Sequence, residues 1–134
     1  MTTTMTLGTT TRPRPRRWPL ALLLAVDFLA YVPNFPEMGL ETRPPSMVSP
    51  AMMAMYTVAI FLPLVALLPL WKWPRVAGAL AIVCGVLNVV PSVLDLSRVL
   101  FPYPPPAAIA VDEVLLVVIG AALCRLGYRS WRGA

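Results

Sequence analysis

Histidine is absent from this 134-residue chain and cysteine occurs only twice. A zinc site of the usual Cys/His kind needs several of those ligands, so none is expected, and no other metal or cofactor is called for. Charge is scarce too, with 13% of residues Asp, Glu, Lys or Arg, against about 25% in soluble domains. Lys72 is the one lysine. What fills the space is apolar: 58% of residues are hydrophobic and the mean hydropathy is +0.74. These proportions describe a chain solvated by lipid. The net charge of +5 resides almost wholly in arginines that flank apolar runs. A nucleic-acid interface would gather them on one solvated face, so that partner is excluded. Arginine in preference to lysine, with abundant Ala, Val and Pro, suits a GC-rich bacterial coding sequence.

Residues 1–17 read as a disordered basic tail. Thr2–Thr4 and Thr9–Thr11 lead into Arg12-Pro-Arg-Pro-Arg-Arg17, where proline blocks helix and the arginines repel one another. A cleaved signal peptide is not expected, because Asp27 interrupts the apolar region and no small-residue cleavage site precedes the proline-rich run.

Four apolar segments follow, at about 18–32, 51–71, 76–94 and 107–126. Each approaches the roughly 20 residues that a membrane-crossing helix needs. The expected fold is an all-α, four-helix transmembrane bundle over 18–128, ending in a basic tail at 129–134. Pro19 is tolerated in a first turn, and Pro33 and Pro36 close the first span. Pro63 and Pro69 predict a kink or a broken last turn in the second. The third carries Gly78, Ala81, Gly85, Asn88, Ser92 and Asp95 at alternating spacings of three and four, which puts all six on one helix face. Small residues admit another helix closely and polar ones bond across to it, so this face reads first as a packing seam; the sharper alternative is that its outer half lines a polar cavity.

Basic residues accumulate in cytoplasmic segments. Arg12, Arg14, Arg16, Arg17, Lys72, Arg75, Arg125, Arg129 and Arg132 fall on one side of the expected threading, leaving only Arg43 and Arg98 opposite. Both termini should then be cytoplasmic, in a multi-pass protein of a bacterial inner membrane. The acidic residues avoid that side: Glu37 and Glu41 fall in the first outer loop, Asp95 at the outer end of the third span, and Asp27, Asp112 and Glu113 within spans.

At about 1.5 Å per residue, Asp27 lies roughly 14 Å from the cytoplasmic boundary, and Tyr31 and Asn88 roughly 20 Å. Glu113, counted from the other side, reaches a similar layer. Asp27, Tyr31 and Asn34 share one face of the first span. The candidate ligand- or proton-binding residues are therefore Asp27, Tyr31, Asn88, Asp112 and Glu113. A mid-bilayer charge costs about 2.5–3.5 kcal/mol on insertion scales, and no basic residue lies within a span to offset it. Either water reaches the layer from outside, or carboxyls there are protonated, or a cation or cationic ligand binds. The plainer alternatives are that Asp112 and Glu113 sit at the outer interface with one facing water, and that Asp27 is interhelical glue bonded to Asn88 or Tyr56. Cys84 and Cys124 lie at different depths and read as small packing residues. Met52, Met53 and Met55 read as gap-fillers in preference to a soft-metal site.

Asp27 with Tyr31, the Trp71-Lys72-Trp73-Pro74-Arg75 turn, Asp112 or Glu113 early in the last span, and the aromatic-basic run Tyr128 to Arg132 resemble a family of small four-span bacterial membrane proteins of unknown function. In plan the chain is also similar to DoxX-like proteins. Neither resemblance implies an activity. Small multidrug transporters share a carboxylate in span 1, but their small-residue and aromatic pattern is missing here. Sterol-isomerase-like membrane domains use an acidic and aromatic intramembrane cavity, and their motif is missing too. The expected function is a non-enzymatic integral membrane protein with an outward-facing acidic pocket for a small ligand or partner. A proton- or cation-coupled small transporter is the first alternative, and a membrane enzyme using Asp27 or Glu113 as general acid/base on a lipid-like substrate the second. The lipid bilayer is the expected environment, with a second copy or a membrane protein as partner.

Overall fold

The computed structural model describes residues 17–32, 49–99 and 105–133. Four helices and no strand occupy them: α1 (Trp18–Ala30), α2 (Pro50–Leu67), α3 (Pro74–Leu96) and α4 (Ala107–Gly133). The described residues are thus helical without strands, as the apolar runs predict. α2, α3 and α4 are each long and apolar enough to cross a membrane. α1 departs from expectation. Its 13 residues rise only about 20 Å, short of a hydrocarbon layer of about 30 Å. It gives way at Tyr31 to a turn, and Pro33 in the sequence disfavours a helical Val32.

Proline shapes the helix ends and interiors. Pro19, Pro50 and Pro74 occupy first-turn positions, where a missing N–H costs nothing. Ser49 caps α2 from extended backbone, its Oγ accepting from the Met52 amide at 3.2 Å. At the other end of α2, Pro69 has no N–H to give the Val65 carbonyl. The Leu68 amide bonds that carbonyl instead, at 3.2 Å, and tightens the last turn. α2 passes through Pro63, and α3 passes through Pro91, a residue that the sequence reading did not single out. Both prolines are buried, where a neighbouring helix packs over the interrupted ladder.

α3 ends in a six-residue reversal. The Val99 amide bonds the Leu94 carbonyl and the Arg98 amide bonds that of Asp95, both at 2.9 Å. This is the Schellman arrangement, and it places Arg98 at φ 61°.

The helices form a ring in which α1 neighbours α2 and α4, and α3 neighbours the same two. The α3–α4 interface is by far the most extensive. Two reciprocal glycine pairs set its spacing. A Cβ on Gly85 would lie 2.5 Å from the Gly120 carbonyl oxygen, and one on Gly78 would lie 2.6 Å from that of Gly127. Within each helix the two glycines are seven residues apart, a heptad spacing that brings both pairs together along two antiparallel helices. All six residues of the small and polar α3 face are buried, as their spacing predicts. Val76, Val83, Val86, Val90 and Val93 point outward.

The N-terminal end of α1, the α2–α3 turn and the C-terminal end of α4 lie together. Arg17 Nη1 donates to the Trp71 carbonyl, and Trp18 meets Trp71 edge to face with ring centroids 5.8 Å apart. Ser130 Oγ donates to the Pro74 carbonyl at 2.9 Å. One end of the molecule is consequently basic and aromatic. Because α4 continues without a break to Gly133, its Tyr128–Arg132 run is helical.

Candidate functional site

Asp27 reaches the interior because it continues the buried face of α1, after Leu20 and Leu24, at spacings of four and three. Tyr31, four residues further, closes that face. Asn88 enters from the small-residue face of α3. Three side chains from opposite sides of the ring meet as a result.

Asn88 Nδ2 donates to Asp27 Oδ1 at 2.5 Å, and Tyr31 Oη donates to Asn88 Oδ1, also at 2.5 Å. The amide orientation follows from its partners. Reversing it would set the amide oxygen against a carboxylate and present the NH₂ group to a hydroxyl that could serve it only as acceptor. All three residues are buried, Asp27 completely. Asp27 Oδ2 has no hydrogen-bond partner among the described residues. One carboxyl oxygen is thereby fixed in place, while the other is buried and open to a proton or a cation.

Of the two remaining candidates, Asp112 stands close by. Tyr31 lies within electrostatic reach of Asp112 and Tyr56 as well as of Asp27. Asp112 and Glu113 are both buried, each about 7% exposed, so neither faces water as an interface residue would. Consecutive residues diverge by about 100° around a helix. α4 as a whole has two neighbours, α1 and α3, so more than one of its faces is covered. Each is engaged by neighbouring groups. Of the two partners weighed for Asp27, Asn88 makes the hydrogen bond. Asn34, Glu37, Glu41 and Arg43 lie outside the described residues.

Asp95 is buried at 1% exposure and also engaged, as its membership of the Gly78–Asp95 face predicts. Gly120 and Gly127, which set the α3–α4 distance, escaped the sequence reading, and their seven-residue spacing was the clue. Cys84 and Cys124 are free thiols. The Cys124 thiol lies 3.7 Å from the Ile82 carbonyl, across the α3–α4 seam. No group of three His, Cys, Asp or Glu residues among those described is arranged to hold a metal ion.

No family model, curated protein or solved structure matches the chain. The functional reading therefore comes from the geometry of the site.

Proposed function

We propose that this chain is a four-span integral protein of a bacterial plasma membrane, with both termini cytoplasmic, whose interior acidic site opens to the outer side and binds a small cationic ligand. The threading draws on the basic residues gathered where the ends of all four helices meet, and on acidic residues kept to the other half. The site reading is carried by Asp27, a fully buried carboxyl with one oxygen held by Asn88 and the other without a hydrogen-bond partner among the described residues. A carboxylate there attracts a cation strongly, because the surrounding apolar side chains screen charge weakly. Asn88, itself held by Tyr31, fixes one carboxyl oxygen, so the orientation of the carboxyl is set before a ligand arrives.

The test is calorimetric titration of the purified protein with tetraphenylphosphonium and with small primary amines. Asp27→Asn preserves shape and removes the charge, and it should weaken binding by about tenfold or more, the value of a hydrogen bond to a charged group. Equal binding by the two proteins would sink the site assignment. A reporter fused at the C-terminus should read as cytoplasmic, and an external reading would reverse the threading.

The buried open oxygen of Asp27 favours a second reading, in which the bound cation is a proton exchanged for substrate. Proteoliposomes loaded with a pH-sensitive dye would then show substrate-dependent proton flux that Asp27→Asn abolishes.

A further inference from the structure

The buried polar side chains are distributed unevenly about Asp27. Toward the basic end, Leu20, Leu24, Leu70, Ala81 and Leu123 close the interior, none more than 4% exposed. The one buried polar side chain there among the described residues is Ser130, already bonded to the Pro74 carbonyl. Toward the opposite, outer end lie Asn88, Ser92, Asp95, Asp112 and Glu113, all buried. We infer that Asp27 holds a proton on its open oxygen and exchanges it through the outer end alone, along this lane of polar groups, and that an entering cation displaces the proton by the same way. The displacement step rests on the cation-binding reading given above; the proton and its route do not.

The glycine pairs fix the lane. Gly78 stands against Gly127 and Gly85 against Gly120. One heptad further out, the same positions on the two helices are Ser92 and Glu113. A hydroxyl and a carboxyl thus take the seam positions that glycines hold nearer the basic end. Asp95 lies one turn beyond Ser92, and Asn88 one turn before it, on the same buried face of α3. Each step is no more than about 6 Å of helix rise. Asp112, next to Glu113, is within electrostatic reach of Tyr31, whose hydroxyl is bonded to Asn88. Asp95, Asp112 and Glu113 are each engaged by neighbouring groups, and hydroxyl and carboxyl groups can both give and take a proton.

Charge decides what Asp27 carries. The titratable groups around Asp27 and Tyr31 are Tyr56 on α2, Cys84 on α3 and Asp112 on α4. None of these is a cation, and no Lys or Arg among the described residues is buried. Asp27 Oδ1 accepts from Asn88, whereas Oδ2 is buried without a hydrogen-bond partner among the described residues. A bare carboxylate there is an uncompensated charge in an apolar layer, and a proton on Oδ2 removes it. When a cation binds, the Oδ2–H bond breaks, the carboxylate keeps the electron pair and pairs with the cation, and the proton leaves by the lane. Toward the basic end that proton would have to cross roughly 14 Å of apolar packing.

Infrared spectroscopy of the full chain in phosphatidylcholine vesicles tests this. The difference spectrum between the wild type and Asp27→Asn should contain the C=O stretch of one protonated carboxylic acid. On a change to deuterium oxide that band should shift as the acid proton is replaced. Glu113→Gln should slow the shift about a hundredfold, the lower end of what a positioned proton-transfer group contributes. Ser92→Ala should slow it about tenfold, the rate equivalent of one lost hydrogen bond. Ser130→Ala, which loosens the basic end, should leave the rate within about twofold, because that opening is local. Amide bands in the same spectra establish that each variant is folded. Tetraphenylphosphonium should abolish the carboxylic band of the wild type. Absence of that band before any cation is added would overturn the proton assignment. Equal rates in the wild type, Glu113→Gln and Ser92→Ala, or a faster shift in Ser130→Ala, would overturn the route. A cation that binds while the band persists would overturn the displacement. Failure of the cation to bind, with the band and its lane-dependent exchange intact, would remove the cation-binding reading and leave the proton and its route standing.

Discussion

Asn88 donates to Asp27 at 2.5 Å across the diagonal of the ring, joining α1 and α3, two helices that face each other without being neighbours. Because Asn88 also accepts from Tyr31, it satisfies two partners on α1 at once. Asn88→Leu leaves both of them stranded and should destabilise the protein by about 1–2 kcal/mol. Asp27→Leu combined with Asn88→Leu should cost less than the two single changes together, by about 0.5–1.5 kcal/mol. Unfolding by sodium dodecyl sulfate in mixed micelles measures all four corners of this cycle. Strict additivity would mean that the bond contributes nothing.

The α3–α4 seam should tolerate no side chain at its glycines. A Cβ on Gly85 meets the Gly120 carbonyl at 2.5 Å, and one on Gly120 meets that of Gly85 at 2.7 Å. The clashing atoms are backbone and cannot swing aside. Gly85→Ala and Gly120→Ala should each cost about 1–3 kcal/mol, the usual penalty of overpacking. Ala79→Leu, on the exposed face of the same helix, should stay within about 0.5 kcal/mol of the wild type. The same mixed-micelle unfolding series compares them.

Ser130→Ala removes the bond to the Pro74 carbonyl and keeps nearly the same volume. The loss should be about 0.5–1.5 kcal/mol. Hydrogen exchange of amides in the last turn of α4 should quicken in this variant, while those near Gly120 remain protected. Uniform quickening along α4 would show that Ser130 acts on the whole helix.

Arg98 pays for its position at φ 61° with a steric cost that a side-chain-free residue avoids. Arg98→Gly should raise stability by about 0.5–1 kcal/mol, the local relief being partly offset by the greater freedom of glycine in the unfolded chain. A lower unfolding midpoint would point to a contact made by the arginine side chain.

Much of this arrangement can be read from residue spacing. Period decides which face of α3 turns inward, and the six residues from Gly78 to Asp95 show it without ambiguity. Asp27, Tyr31 and Asn88 met because two helices with buried faces, counted from a shared end, carry polar groups at one depth. What spacing did not reveal depends on partners that only folding brings together. Gly120 and Gly127 look unremarkable within an apolar run until Gly78 and Gly85 lie opposite. Ser130 sits among arginines and aromatics, and its hydroxyl acquires a role only when Pro74 arrives beneath it. The limit of α1 is different in kind. Hydropathy continues to Val32, but backbone geometry beside Pro33 ends the helix sooner.

The paired glycines also partition the molecule mechanically. Sliding α4 by one heptad in one direction would set Glu113 against Gly85 and Trp71 against Gly127, so that shift is barred by volume alone. α3 and α4 therefore resist that shift as a braced pair. The chain of bonds through Asp27, Asn88 and Tyr31 ties α1 to that pair across the ring. A change of charge or partner at Asp27 would therefore be felt first at the joint between α1 and that pair.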